Sequence, residues 1–416
     1  MTRPPTRMIL SAVVVLLIIC TATFADHHNP GPVVGWRTDH TGRYPDAAPP
    51  TTWSTKDNVA WATPLDAWSN ATPVVIGDRV ITCAEQFTLV CVSAADGNEL
   101  WRAENTLADA IPKGDRPARA GTHGNNGYSS ATPVSDGEHV WALFGNGVVA
   151  CYDMAGKRQW IKFLQLPANG WGHSSSPALV DGKLVVQIVD VIGMDAATGD
   201  EVWRYEMGGA HSFGTPIATR VGDLAVIITP TGDFLRASDG HIYARRLAKL
   251  EYNTPIVHDG VAYFITGDSR AFTLAANDDR TLAIEPKWRC GLPRDRYYSS
   301  PLYHDGLIYA THRGEKLTVI DAEKGEVVYS QEVKLSEVGG SNRVYSSPTF
   351  AGNHVYLTGL EGTTVVIRPG REFVEAARNS LPRTRASPVF VGNSAYIRAG
   401  KKLFCIRKSS AQASAK

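Results

Sequence analysis

An excess of charge of either sign is missing from this sequence. Lysine and arginine number 42 against 41 aspartates and glutamates, and no block of five like charges occurs. Nucleic acid is thereby excluded as a partner class, because phosphate backbones are held by clustered cations. Cysteine is scarce, with six in 416 residues, no two adjacent and no Cys-x-x-Cys. This spacing offers neither a disulfide framework nor a zinc site. Apolar runs long enough to span a bilayer as a helix, about 20 residues, are also absent. What is present is 43% hydrophobic and 20% charged residues, enough apolar side chain to bury substantial cores and too much for a disordered chain.

The first 25 residues carry Arg3 and Arg7, then an apolar run from Met8 to Cys20, then Thr21-Ala22-Thr23-Phe24-Ala25. This reads as a cleavable signal peptide over residues 1–25, with export to the periplasm or the cell exterior. Lipidation of Cys20 is the alternative, against which stands the bulky Ile19 before it. The mature chain then has 40 basic against 41 acidic residues and keeps Cys83, Cys91, Cys151, Cys290 and Cys405, read as packing thiols. Cleavage after Ala25 would expose Asp26-His27-His28, whose amine, amides and His28 imidazole could form a square-planar Cu(II) or Ni(II) site. The competing reading is a solvated terminus.

The 38 glycines and 24 prolines are scattered along the chain, which favours many short elements over long helices. They recur with a period. Ser or Thr, Pro, an apolar stretch, a glycine turn and a β-rich run repeat at Pro73, Pro133, Pro177, Pro216, Pro255, Pro301, Pro348 and Pro388, separated by 39 to 60 residues. That is the period of a propeller blade. Each copy reads as two strands of a hairpin, a third strand ending in a turn such as Asp195-Ala196-Ala197-Thr198-Gly199, and a fourth carrying Trp101, Trp160, Trp203, Tyr243, Trp288, Tyr329 or Phe373. Four short strands make one blade. The eighth unit stops after Lys402–Arg407 without a fourth strand, while Asp57-Asn58-Val59-Ala60-Trp61-Ala62 resembles a fourth strand that has no unit. It is expected to complete the last blade, which removes two exposed sheet edges. Length alone suggests two or three domains; the repeat replaces them with a signal (1–25), a lead-in (26–56), one all-β eight-bladed propeller (57–407) and a polar tail (408–416).

The Asp-x-x-Thr-Gly-x-x-x-Trp pattern at Asp195 to Trp203, with the Ser/Thr-Pro anchors, resembles the pyrroloquinoline-quinone (PQQ)-like repeat of eight-bladed propellers. That family includes quinoprotein alcohol dehydrogenases and the outer-membrane assembly lipoprotein BamB. The segment from Gly35-Trp36-Arg37 to Tyr44-Pro45 is similar to the opening of secreted propellers of the family from planctomycete-type bacteria. The likeness covers residues 35–407 and speaks to fold more than function. Its enzymatic members imply PQQ held with Ca²⁺ by Glu, Asn and Asp, an Asp base, and often a disulfide of adjacent cysteines. None of these transfers to a position here.

Other chemistry is weakly marked. Gly127-Tyr128-Ser129-Ser130-Ala131 and Gly172-His173-Ser174-Ser175-Ser176 approach a nucleophile elbow, but both precede an anchor proline, as do Tyr298-Ser299-Ser300 and Tyr345-Ser346-Ser347, so they are repeat consensus. Asn277-Asp278-Asp279 lacks the ligand alternation of a calcium loop and reads as a hairpin turn. The segments ahead of the anchors converge on one mouth of the central channel. They supply Trp68, Asn70, Tyr128, Trp171, His173, His211, Phe213, Tyr252, Arg296, Tyr297, Tyr298, Arg343, Tyr345, Arg383 and Arg385. Aromatic faces with guanidiniums suit a planar or anionic ligand, or a peptide carrying carboxylates. The 60-residue first spacing marks an insertion of about fifteen residues within Glu104 to Asn126, bearing Arg119 and His123; it either forms one binding site with that mouth or is a variable surface excursion. The reading is an exported, monomeric, non-enzymatic binding or scaffolding module for a protein or small anionic ligand, without a resident cofactor. The alternatives are a PQQ- and Ca²⁺-dependent alcohol or sugar dehydrogenase, and a BamB-like assembly factor.

Overall fold

The computed structural model describes Met1 and residues 33–117, 121–209, 212–277, 280–337 and 340–408. Eight antiparallel sheets, each with a core of four strands, follow one another along the chain. The first blade is built from Val74–Ile76, Arg79–Ala84, Thr88–Ser93 and Glu99–Glu104, and the other units repeat that order. Inner strands are buried on both faces because each blade is sandwiched between two others, and so they read as apolar runs such as Leu89-Val90-Cys91-Val92. Outer strands face solvent and alternate, as in Glu99–Glu104. One short helix, Leu107–Ala110, lies in the insertion between the first two blades.

The last blade consists of Val389–Val391, Ser394–Ala399, Lys402–Arg407 and, as its outer strand, Val59–Pro64. Trp61 pairs with Cys405 and Ala62 with Phe404, antiparallel. The N-terminal strand therefore closes the ring as the sequence predicts. Phe373 differs from expectation, lying one residue ahead of its strand, Val374–Ser380.

Two devices join the blades. The outer-strand tryptophans donate their indole N–H to a carbonyl of the following blade: Trp101 to Met154 at 3.1 Å, Trp160 to Ala196 at 3.0 Å, Trp203 to Ala237 at 2.9 Å and Trp288 to Ala322 at 2.8 Å. The same indoles lie under a glycine of that blade. A Cβ at Gly199, where φ is +73°, would come within 2.7 Å of Trp160, so this turn needs glycine for its backbone and for its lack of a side chain. The repeat's Gly and Trp thus belong to one contact between successive blades.

The second device explains the Ser/Thr-Pro signature. The backbone N–H of each pre-proline residue donates to the hydroxyl of its counterpart in the next blade. Thr72 donates to Thr132 (3.1 Å), Thr132 to Ser176 (2.9 Å), Ser176 to Thr215 (3.0 Å) and Thr215 to Thr254 (2.8 Å). Thr254 continues to Ser300 (3.0 Å), Ser300 to Ser347 (2.9 Å), Ser347 to Ser387 (2.9 Å), and Ser387 returns to Thr72 (3.3 Å). Eight hydrogen bonds form a closed circle around the channel. The following proline holds the donor residue extended and has no N–H of its own to compete.

Every outer-strand pairing carries a register shift. Such bulges twist the eight exposed edges away from straight strands that other chains could extend. The cysteines of the propeller are all free and buried; Cys91, Cys151 and Cys405 each take the fourth position of a third strand. Burial pushes the Cys91 and Cys151 thiols up to about 12, which keeps them protonated packing groups.

Candidate functional site

The lead-in does more than precede the propeller. Val34 bridges Ser135 on the innermost strand of the second blade, and the chain turns through hydrogen bonds from Gly35 to the Thr38 carbonyl and from Gly42 to that of Arg37. It leaves along the seventh blade, where Arg43 and Tyr44 pair in parallel with Phe350 and Ala351. The turn plugs the channel. Arg37, fully buried, donates to the carbonyls of Pro301 at 2.7 Å and Pro348 at 2.9 Å, and lies against the Trp36 ring at 5.3 Å. A fixed guanidinium fork is suited to bridging two carbonyls on neighbouring blades.

Above the plug lies a cup of about 500 Å³. Trp36 lines its base together with the eight hydroxyl residues of the hydrogen-bonded circle. The rim is an aromatic ladder. Phe213 stacks on Tyr252 (6.0 Å, 5°), Tyr252 meets Tyr298 edge-on (4.9 Å), Tyr298 stacks on Tyr345 (4.7 Å, 5°), and Arg385 lies over Tyr345 at 4.9 Å. Arg296 lies against Tyr252 at 5.7 Å and donates to the Tyr298 hydroxyl at 3.3 Å. Each ring packs against the next, so the ladder stiffens the rim. Burial and the nearby Glu251 push the Tyr252 phenol up to about 12, leaving it a protonated donor at neutral pH. Burial lowers the Arg385 guanidinium from its ordinary value.

The insertion does reach this mouth. Asn125 accepts from Arg385 at 3.1 Å, joining the first and last blades. Asn70 holds the Asn125 carbonyl at 2.9 Å, and Asn126 holds those of Trp171 at 3.0 Å and His173 at 3.1 Å. His123 stacks on the exposed Trp171 at 4.1 Å.

Among the sequence candidates, Asn70, Trp171, Phe213, Tyr252, Arg296, Tyr298, Tyr345 and Arg385 line the cup, with His123 stacked on Trp171. Others lie off it. The Trp68 ring packs over Gly127, Tyr128 is buried against Phe87 at 4.9 Å, and His173 is buried. Arg343 turns to Glu315 at 2.9 Å and Arg383 to Glu361 at 3.7 Å, so both are engaged by carboxylates outside the cup. Arg119, His211 and His28 lie outside the described residues, as do residues 278–279. Ser129 and Ser174 donate to the carbonyls of Ala84 and Phe213, each at 3.0 Å, which occupies them structurally. Sequence reasoning missed Trp36, Asn169, Asn342 and the floor hydroxyls. For the hydroxyls a signal exists, the Ser or Thr ahead of each anchor proline.

The family model described as outer membrane protein assembly factor BamB matches residues 51–186 and 188–410. The chain belongs to this family. Among solved structures, BamB from Moraxella catarrhalis is 14% identical with a TM-score of 0.60, covering 84% of this chain and 97% of its own. A europium-containing methanol dehydrogenase is 12% identical (TM-score 0.56, 89% of each chain), and quinohemoprotein alcohol dehydrogenase from Comamonas testosteroni is 12% identical (TM-score 0.56, 92% and 82%). At these identities the likeness carries the fold, not the chemistry. No curated protein matches the chain.

Glu251 is the one carboxylate among the described lining residues, no group of three or more His, Cys, Asp or Glu converges among the described residues, and the described cysteines are free and buried. A Ca²⁺-bound quinone needs several oxygen ligands, carboxylates among them. The residues present do not fit that group. No helix among the described residues is long and apolar enough to cross a membrane.

Proposed function

We propose that this chain is an exported, non-enzymatic binding propeller that holds a small anionic ligand in the plugged mouth of its channel. One observation carries the reading: the lead-in closes the channel beneath a ring of hydroxyls, which turns a pore into a blind cup with Arg296 and Arg385 at its rim. A concave, preformed site with few convergent polar groups is what small-ligand binding requires. The donor set favours binding over redox catalysis, and the signal-like first 25 residues support export. The test is capture from the native envelope fraction by the wild-type chain and by Tyr298→Ala/Arg385→Ala. Loss of ligand by the variant at unchanged melting temperature is expected; equal capture would sink the reading.

The family match favours a second reading, in which the propeller docks a protein during outer-membrane assembly. Crosslinking from Trp171, exposed at the rim, separates the two: a protein adduct supports docking, and its absence alongside ligand capture supports the cup.

A further inference from the structure

We infer that the ligand of the cup is a carboxylated saccharide, an inference that rests on the binding reading above and names the chemistry of its occupant. Each floor hydroxyl accepts a hydrogen bond from the neighbouring blade. Each therefore has its proton left to donate, and none donates to another group among the described residues. All eight side chains are at least 95% buried, as Thr132 (1%) and Ser387 (5%) illustrate, and all line the cup. Buried donors without acceptors are costly, so the floor calls for an occupant rich in acceptor oxygens.

The walls narrow the class. Among the described residues no aliphatic side chain lines the cup, which disfavours a lipid tail or an apolar helix. Among the described lining residues two guanidiniums, Arg296 and Arg385, stand against one carboxylate, Glu251, a balance of one positive charge, too little for a phosphate cluster and matched to a single carboxylate. Glu251 also lines the wall with a carboxylate acceptor, which a polyanion would not use and which the hydroxyl groups of a sugar would. A molecule with many hydroxyls, ring and glycosidic oxygens and one acidic group meets all three conditions. The cavity of about 500 Å³ accommodates a short saccharide end.

The test is isothermal titration calorimetry of the purified protein with trigalacturonate and glucuronate, against maltotriose as the neutral control. Trigalacturonate is expected to bind at least tenfold more tightly than maltotriose, with glucuronate showing whether a free sugar acid suffices. Arg296→Gln, at an exposed rim position, and Arg296→Gln/Arg385→Gln should reduce that preference to within twofold, with melting temperature as the check on folding. Equal binding of acidic and neutral sugars, or none, overturns the saccharide assignment. Binding of an acidic peptide or of PQQ at the mouth in place of saccharide overturns it too, yet leaves the binding reading standing. Envelope capture unaffected by Tyr298→Ala/Arg385→Ala overturns both.

Discussion

Trp61, on the strand that the N-terminal segment lends to the last blade, donates its indole N–H to the carbonyl of Ala94 in the first blade at 3.2 Å. The ring also sits beneath Gly97, where a Cβ would come within 2.6 Å of it. The closing contact is thus the same one that joins other successive blades. Deleting residues 57–65 removes both the closing strand and its tryptophan, and leaves Lys402–Arg407 as an unpaired edge. Soluble monomer should be lost; a stable monomeric product on size-exclusion chromatography would refute the closure argument.

Gly199→Ala meets two obstacles, a φ of +73° and an indole 2.7 Å from the new Cβ. Destabilisation of more than about 1 kcal/mol is expected, read by urea unfolding. Gly306→Ala, also at positive φ but with nothing within 4 Å of the new Cβ, should cost less, which separates backbone strain from the clash.

Arg37→Ala would leave the carbonyls of Pro301 and Pro348 unpaired beneath the cup. A loss of about 1–3 kcal/mol per orphaned group is the relevant scale. Arg37→Lys should rescue little, since an ammonium lacks the fork that spans two carbonyls. Full recovery by lysine would count against the plug geometry.

Arg343→Ala should lower stability without touching the cup. It removes the partner of Glu315, whose side chain is 6% exposed, and a buried carboxylate without its cation is costly. Glu315→Gln in the same chain should restore much of the melting temperature. Unchanged stability of Arg343→Ala would return this residue to the pool of mouth arginines.

Acid should loosen the plug. Burial holds the His40 imidazole down to about 4, with Asp39 opposing and Arg37 reinforcing that shift. In the unfolded chain a histidine takes its proton near about 6.5, so between these values the unfolded state binds more protons and stability falls as pH drops from about 6.5 toward 4. His40→Gln should flatten the melting temperature across that window relative to wild type. An unaltered slope would place the acid sensitivity elsewhere, with His258, His304, His312 and His354 also lowered by burial.

Blade number, strand order and ring closure were legible in the sequence because each is written locally: Ser/Thr-Pro at a strand start, glycine at a turn, tryptophan on an outer strand, and one orphan strand at Val59–Pro64 to match one incomplete unit. The convergence of Tyr252, Tyr298, Tyr345, Arg296 and Arg385 was also legible, since equivalent positions of a closed repeat must meet around its axis. Tertiary structure alone decided the rest. Arg37 reaches carbonyls 264 and 311 residues away, a contact no local pattern encodes, and it makes the channel a cup. Arg343 and Arg383 share the repeat position of Arg296, four residues ahead of the anchor hydroxyl, but turn to Glu315 and Glu361, because an ion pair depends on which carboxylate the neighbouring loop brings within reach. The packing of the tyrosines on one another likewise depends on distances between blades, which no local pattern specifies.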